Sequence, residues 1–296
     1  MTTANDHAEA PDLGPATVSR TSRYRLRAKT IDQEFLIQVA WPPGRTEEGQ
    51  TFPVVYVLDG NSAFTITAQI ARSLQSGPFP MPPTLVVGIG YHFETTEAQA
   101  QIGLLRVRDL TPCSDALLEA QYPDGAQVCG GATAFLDFIE HEVKPFVASR
   151  FPVDAADQTL VGSSLAGLFT LHTLFAAPQT FLRYVAVSPA IYWGEGRVLA
   201  MEEAYAATAH DLPAHLFLAA GSLEEGHDAQ QRFVSNTYQL DAKLRARAYP
   251  KLGLTLQVFD GETHMSVYFG AVARGLGAVF GGYRDMHNWS RWLRTA

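Results

Sequence analysis

Two kinds of apolar periodicity alternate along the chain. Residues 52–60 (FPVVYVLDG), 84–91 (TLVVGIGY) and 158–162 (QTLVG) are short, nearly unbroken apolar runs, and YVAVSP, LFLAAG and LTLQVFDG continue the series from Tyr184, Leu216 and Leu254. Runs of this length, bounded by turn residues, are the pattern of strands buried on both faces of a parallel sheet. Between them lie longer amphipathic stretches at 131–150, 228–247 and 265–280. In the first, Phe135, Phe138, Ile139 and Val143 keep the i, i+3, i+4 spacing of a helix packed on a sheet. Residues 23–42 instead alternate with period two and break near Ile31 and Asp32, which predicts an antiparallel hairpin. Strands alternating with helices predict βαβ units, a mainly parallel central sheet and helices on both of its faces. Residues 94–130 show no clear period; long loops in compact domains are commonly functional, so this stretch is expected to help form a pocket.

Composition narrows the class without changing that picture. The chain has 296 residues, 47% of them hydrophobic, which is enough apolar surface for a sizeable core. α/β folds of this length commonly form one domain, so residues 21–296 are read as a single domain after a polar, disordered lead at 1–20. A net charge of −8 argues against nucleic acid as a partner, because binding it demands a basic footprint. No apolar run approaches the roughly 20 residues needed to span a bilayer. The N-terminus lacks a basic start followed by an apolar core, so a cytoplasmic protein is expected, with a periplasmic one as the alternative if a signal was removed. Cys113 and Cys129 are the only cysteines and are read as unlinked thiols, the alternative being a disulfide that closes one surface loop. No ligand set has metal spacing, and no metal is expected.

In an open parallel sheet, reactive groups gather beyond the carboxyl ends of strands. After QTLV comes Gly162-Ser163-Ser164-Leu165-Ala166-Gly167, then a helical run. The order Gly-x-Ser-x-small suits a nucleophile on a sharp turn between strand and helix, which places Ser164 as the candidate. Ala166 stands where a second glycine is usual. A serine hydroxyl needs a base, and the base needs an orienting acid. Acidic residues follow LFLAAG, namely Glu224, Glu225 and Asp228, and His264 follows LTLQVFDG. The chain order serine, acid, histidine is the one expected on this fold. Glu224 is the preferred acid, with Glu225 and Asp228 as competitors. Of the nine histidines, His264 alone follows a late buried strand at its carboxyl end, whereas His92 precedes the serine, His227 lies in the acid loop and His287 in an aromatic tail, so His264 is the candidate base. Backbone N–H donors for a developing oxyanion are expected from Leu165 and from the turn at Gly60 and Asn61.

Together these residues resemble the esterase family that includes esterase D and the ferric-siderophore (enterobactin-type) trilactone esterases. The resemblance runs from about Arg23 to Phe280 and is carried by YVLDGN, RVRDLTP, GGATAFLDFIEHEVKPFV, VGSSLAGL, VSPAIYW and DGETHMSV. It implies an α/β-hydrolase fold, no cofactor, and a serine esterase with Ser164 and His264 in the two main roles. RVRDLTP and VSPAIYW are most similar to the siderophore branch, which makes Arg106 and Arg108 candidates for contacting an anionic ferric catecholate and Trp193 a candidate pocket wall. For the arginines a structural salt-bridge role with Asp109 and its neighbours is the preferred reading over substrate contact, and core packing is the alternative for Trp193. The expected function is ester hydrolysis through an acyl-enzyme, with a siderophore lactone as substrate. A short-chain or carbohydrate acetyl esterase, an acyltransferase and a non-catalytic binding protein are the alternatives.

Overall fold

The computed structural model describes residues 17–42, 49–76, 81–116, 128–225 and 231–281. Eight strands form one sheet: β1 (Thr21–Arg27), β2 (Glu34–Ala40), β3 (Phe52–Val57), β4 (Leu85–Tyr91), β5 (Val153–Ser163), β6 (Arg183–Val187), β7 (His215–Gly221) and β8 (Gly253–Phe259). Their spatial order is β1-β2-β4-β3-β5-β6-β7-β8. The predicted hairpin is present as β1 and β2, paired antiparallel at one edge, and β2 joins β4 antiparallel. Every pairing from β4 across to β8 is parallel. These six neighbouring strands therefore point their carboxyl ends the same way, with only β2 of the eight running opposite, and bring the loops that follow them to one rim.

The seven longer helices among the described residues are α1 (Gly60–Leu74), α2 (Ile102–Leu110), α3 (132–148), α4 (Leu165–Ala176), α5 (Trp193–Ala206), α6 (Phe233–Arg247) and α7 (Val267–Val279). Successive strand residues serve opposite faces of the sheet. Val55, Val57, Val161, Val185 and Val187 pack with Ala63 and Phe64 of α1 and Val267 and Leu276 of α7. Tyr56, Leu160, Tyr184 and Leu216 pack with Phe135 and Phe138 of α3, Phe169 of α4 and Leu240 of α6. Burial on both faces is the reason these strands read as continuous apolar runs rather than alternating ones. This is the α/β-hydrolase type of architecture.

Three departures from the sequence pattern have local causes. Helix α3 is Ala132–Phe138 and Lys144–Ala148 joined by a π turn at Ile139–Val143. Pro145 has no N–H and its ring would meet the carbonyl of residue 141, so a widened turn just before it absorbs the misfit. Within 94–130, a single turn at Thr96–Gln99, capped by Thr95, precedes α2. The apolar face of α2 is narrow, with only Val107 and Leu110 as buried apolar residues, so its period is hard to see. Residues 117–127, Asp228, His227 and most of the N-terminal lead lie outside the described residues. Cys113 and Cys129 are not joined to each other.

One core group carries a pH dependence. His172 of α4 is 5% exposed and packs on Phe169, and neither ring nitrogen has a hydrogen-bond partner among the described residues. Burial, and secondarily the charge of Arg197, push its pKa down to about 4. The folded state thus holds this proton less tightly than the unfolded state, and stability is lost as pH falls from the unfolded pKa of about 6.5 towards the folded one. Urea unfolding should show wild type losing on the order of 3 kcal/mol more than His172→Leu across that window. Parallel profiles for the two proteins would show that this imidazole does not titrate on unfolding.

Candidate active site

The site begins at the junction of β5 and α4. Ser164 sits there at φ 60° and ψ −121°, a backbone region that costs a non-glycine residue free energy. Packing on both sides holds it. Its N–H donates to the Val187 carbonyl (3.0 Å), and its own carbonyl accepts from the N–H groups of Leu168 (2.9 Å) and Ala190 (3.1 Å). A Cβ on residue 162 would overlap the Ala166 carbonyl, so glycine is obligatory there. A Cβ on residue 167 would lie 2.9 Å from Pro189 Cα and 3.0 Å from the Val187 carbonyl oxygen. The second close approach therefore falls at Gly167, one residue after the irregular Ala166, whose methyl group is fully buried in the core.

The loops after β7 and β8 supply the other two groups. Glu224 is 4% exposed, and its carboxylate accepts three hydrogen bonds. The Gly221 N–H and the Ser188 hydroxyl donate to Oε1, both at 2.6 Å, and His264 Nδ1 donates to Oε2 at 2.6 Å. A carboxylate accepts only, so the proton lies on Nδ1, and in the neutral ring Nε2 is left as an acceptor. The two loops are stitched together: the Leu223 N–H donates to the Glu262 carbonyl (3.1 Å), and the Gly261 N–H to Ser222 Oγ (2.9 Å). A Cβ on residue 221 would overlap that same Glu262 carbonyl. Phe233 at the start of α6 lies against the imidazole with ring centroids 4.7 Å apart, and Tyr192 backs Phe233 edge-on at 5.5 Å. Glu225 points elsewhere, accepting from the Ser235 N–H (2.9 Å) and hydroxyl at the start of α6. Burial opposes its charge, but these bonds outweigh burial and hold its carboxyl below the ordinary value.

Ser164, Glu224 and His264 share a cavity of about 380 Å³ with Tyr192, Gln231 and Phe233. Ser164 and His264 also line a second cavity of about 580 Å³, whose walls include Asn61, Ile66, Ile102, Arg106, Met265 and Phe269. No hydrogen bond joins Ser164 to the imidazole among the described contacts; such bonds commonly tighten only when substrate arrives. Leu165 is the first residue of α4, and Gly60 and Asn61 are the first two of α1, so none of their N–H groups has an acceptor within its helix. Asn61 faces the cavity, and its side chain clamps both backbone groups of Tyr91 at 2.7 and 2.9 Å. Gly60 is buried against β4, where a Cβ would lie 2.8 Å from the Ile89 nitrogen.

The nominated arginines and tryptophan divide. Arg106 lines the larger cavity, but its Nε and Nη2 bond both oxygens of Asp59 at 2.6 and 2.9 Å. Burial works against the Arg106 charge, and Asp59 more than offsets it, holding the guanidinium above its ordinary value. Arg108 is bonded to the buried Asp109, and neither of these two cavities has it in its wall. Trp193 is 5% exposed and belongs to the core, with its indole N–H on the Cys113 carbonyl (2.8 Å). Sequence reading missed Ser188, Phe233 and the Asp59 partnership, since no local spacing links them to the residues they touch. The one available signal was the position of Ser188 beyond the carboxyl end of a buried run. Among the described residues, no cluster of three or more His, Cys, Asp or Glu is arranged to hold a metal ion, and no helix is long and apolar enough to cross a membrane.

A strained serine, an imidazole anchored by a buried carboxylate and open N–H groups at two helix starts are the parts acyl transfer needs. Known proteins point the same way. The model of the Esterase family, described as "Putative esterase", matches residues 28–293. The chain is 34% identical over 232 residues to the ferri-bacillibactin esterase BesA of Bacillus subtilis, covering 76% of this chain and 78% of that protein. It is 33% identical over 274 residues to the siderophore triacetylfusarinine C esterase of Aspergillus fumigatus, covering 84% and 89%. Among solved structures, the siderophore hydrolase EstA of Aspergillus nidulans superposes with a TM-score of 0.79 at 26% identity over 93% of this chain and 99% of that one. The BES protein of Bacillus cereus gives 0.77 at 30% identity over 92% and 98%. The chain belongs to this esterase family and is a carboxylic-ester hydrolase.

Proposed function

We propose that the chain hydrolyses the ester bonds of a siderophore, with Ser164, His264 and Glu224 as its catalytic triad. The observation that carries the triad is the 2.6 Å bond from His264 Nδ1 to the buried Glu224, beside a serine strained at φ 60° in the same cavity. Ser164 Oγ adds to the ester carbonyl carbon while its proton passes to His264 Nε2. Glu224 keeps the ring in the tautomer that can accept that proton and stabilises the imidazolium. The N–H groups of Leu165 and Asn61 receive the negative charge that develops on the carbonyl oxygen. Collapse releases the alcohol, which takes the proton from Nε2 and leaves an acyl-serine. Water then repeats the sequence: it loses a proton to Nε2 and adds to the acyl carbon, and collapse breaks the bond to Oγ, frees the acid and returns the proton from Nε2 to Ser164 Oγ. The siderophore class is supported by the relatives, two of which are named for cleaving ferri-bacillibactin and triacetylfusarinine C.

Hydrolysis of p-nitrophenyl acetate tests the assignments. Ser164→Ala should fall to the background rate. Glu224→Gln presents an amide donor to Nδ1, favours the wrong tautomer and should lower kcat by about 10³–10⁴-fold. Glu225→Gln should stay near wild type; the reverse ranking would transfer the acid role. Ser188 touches no reacting atom and acts through Glu224 as a positioning residue. Ser188→Ala should lower kcat about tenfold with little change in KM, the cost of one charge-assisted hydrogen bond. Ser188→Thr should restore much of that loss, and an unchanged kcat in the alanine variant would remove Ser188 from the role.

A further inference from the structure

The walls around Ser164 carry almost no net positive charge. Arg106 is the only lysine or arginine among the described residues lining the two cavities, and both carboxylate oxygens of Asp59, in the same wall, are bonded to it. Seen from the cavity the pair is neutral, and Glu224 adds a carboxylate behind the imidazole. Among the described residues, the loops that carry the acid and the histidine offer no substitute. Residues 109–143, 198–231 and 252–273, which include the acid and histidine loops, contain neither lysine nor arginine. Arg232 lies between the lining residues Gln231 and Phe233 but is not in the wall, and its charge acts on Glu225. A separate cavity beyond Asn61 is lined by Arg23 and Arg25. Arg25 there is bonded to Glu94 at 3.2 Å and lies 3.7 Å from Glu34, so Arg23 is the single cation in that wall without an ion-pair partner among the described residues.

What the larger cavity offers instead is apolar surface. Ile66, Ile102, Tyr268, Met265 and Phe269 line it, and Met265 and Phe269 are 79% and 55% exposed at its mouth. Large apolar side chains held in water beside a cavity mark a ligand surface. We propose that this site takes its ester on a neutral iron complex, one with hydroxamate iron-binding arms, in preference to an anionic ferric tris-catecholate. A ferric tris-hydroxamate has no net charge, and its aliphatic arms can cover Met265 and Phe269. A ferric tris-catecholate is a trianion. It would approach a chain of net charge −8 and give up hydration without meeting an unanswered cation in the walls beside Ser164.

The inference rests on the siderophore-ester reading, and one experiment separates the two. Wild-type protein is assayed on p-nitrophenyl acetate, on a neutral ferric tris-hydroxamate ester and on a trianionic ferric tris-catecholate trilactone, at about 0.05 M and about 0.5 M salt. The neutral complex should show kcat/KM at least about tenfold above the trianion and insensitive to salt, while the trianion's value rises as salt screens its repulsion. A trianion cleaved as well as or better than the neutral complex, or cleaved less efficiently as salt rises, would overturn the inference and leave the siderophore reading standing. Cleavage of p-nitrophenyl acetate with neither iron complex touched would instead overturn the siderophore reading itself, and this inference with it.

Discussion

Strand β5 can pass its chain to α4 only because residue 162 has no side chain. The Ala166 carbonyl occupies the space a Cβ would need, and Gly167 lets the first turn of α4 press against Pro189 and the Val187 carbonyl at the end of β6. Those two contacts compress the turn, and compression forces Ser164 into a left-handed backbone conformation. The strain is sustained because three backbone hydrogen bonds and a fully buried Ala166 fix the residues around it. In return the serine stands clear of the sheet at the rim, directly before the open N–H of Leu165. The proposed nucleophile and the proposed oxyanion donor are thus set by the same packing contact.

The second half of the site depends on burying a charge safely. A carboxylate at 4% exposure would be costly without partners, and Glu224 has three, from different parts of the fold: the backbone of Gly221, the hydroxyl of Ser188 after β6, and the imidazole after β8. Each donor arrives on the end of a parallel strand, so the register of the sheet decides whether the carboxylate is satisfied. The Leu223 to Glu262 bond and the glycine at 221 draw the acid and histidine loops into contact. Phe233 then limits the swing of the ring. An aspartate at 224 would fall about one methylene short of these fixed donors.

How far the sequence revealed this follows from the range of each interaction. Strands, their parallel arrangement and the elbow at 162–167 are written in local patterns of apolar and small residues, so they were legible. Glu224 and His264 were legible because strand ends mark themselves with glycine and acidic turns. Glu224 was the preferred acid from sequence, with Glu225 and Asp228 as competitors; the structure separates the two glutamates, since their side chains diverge and only Glu224 meets the imidazole. The partners of Ser188 and Phe233 were not legible, because each reaches its partner across tens of residues with no shared spacing. That Arg106 is salt-bridged was legible, but its partner was not, since Asp59 lies in a different motif from the expected Asp109. The weakly amphipathic α2 was hidden for the same reason: Arg106 and Arg108 interrupt its apolar face and are neutralised by carboxylates.

The central claim is that packing singles out one of two adjacent serines and couples it to the imidazole. Covalent labelling with diisopropyl fluorophosphate, followed by peptide mass mapping, tests this directly. A single adduct on Ser164, none on Ser163, and loss of labelling in His264→Ala are expected. An adduct on Ser163, or labelling that survives removal of His264, would contradict it.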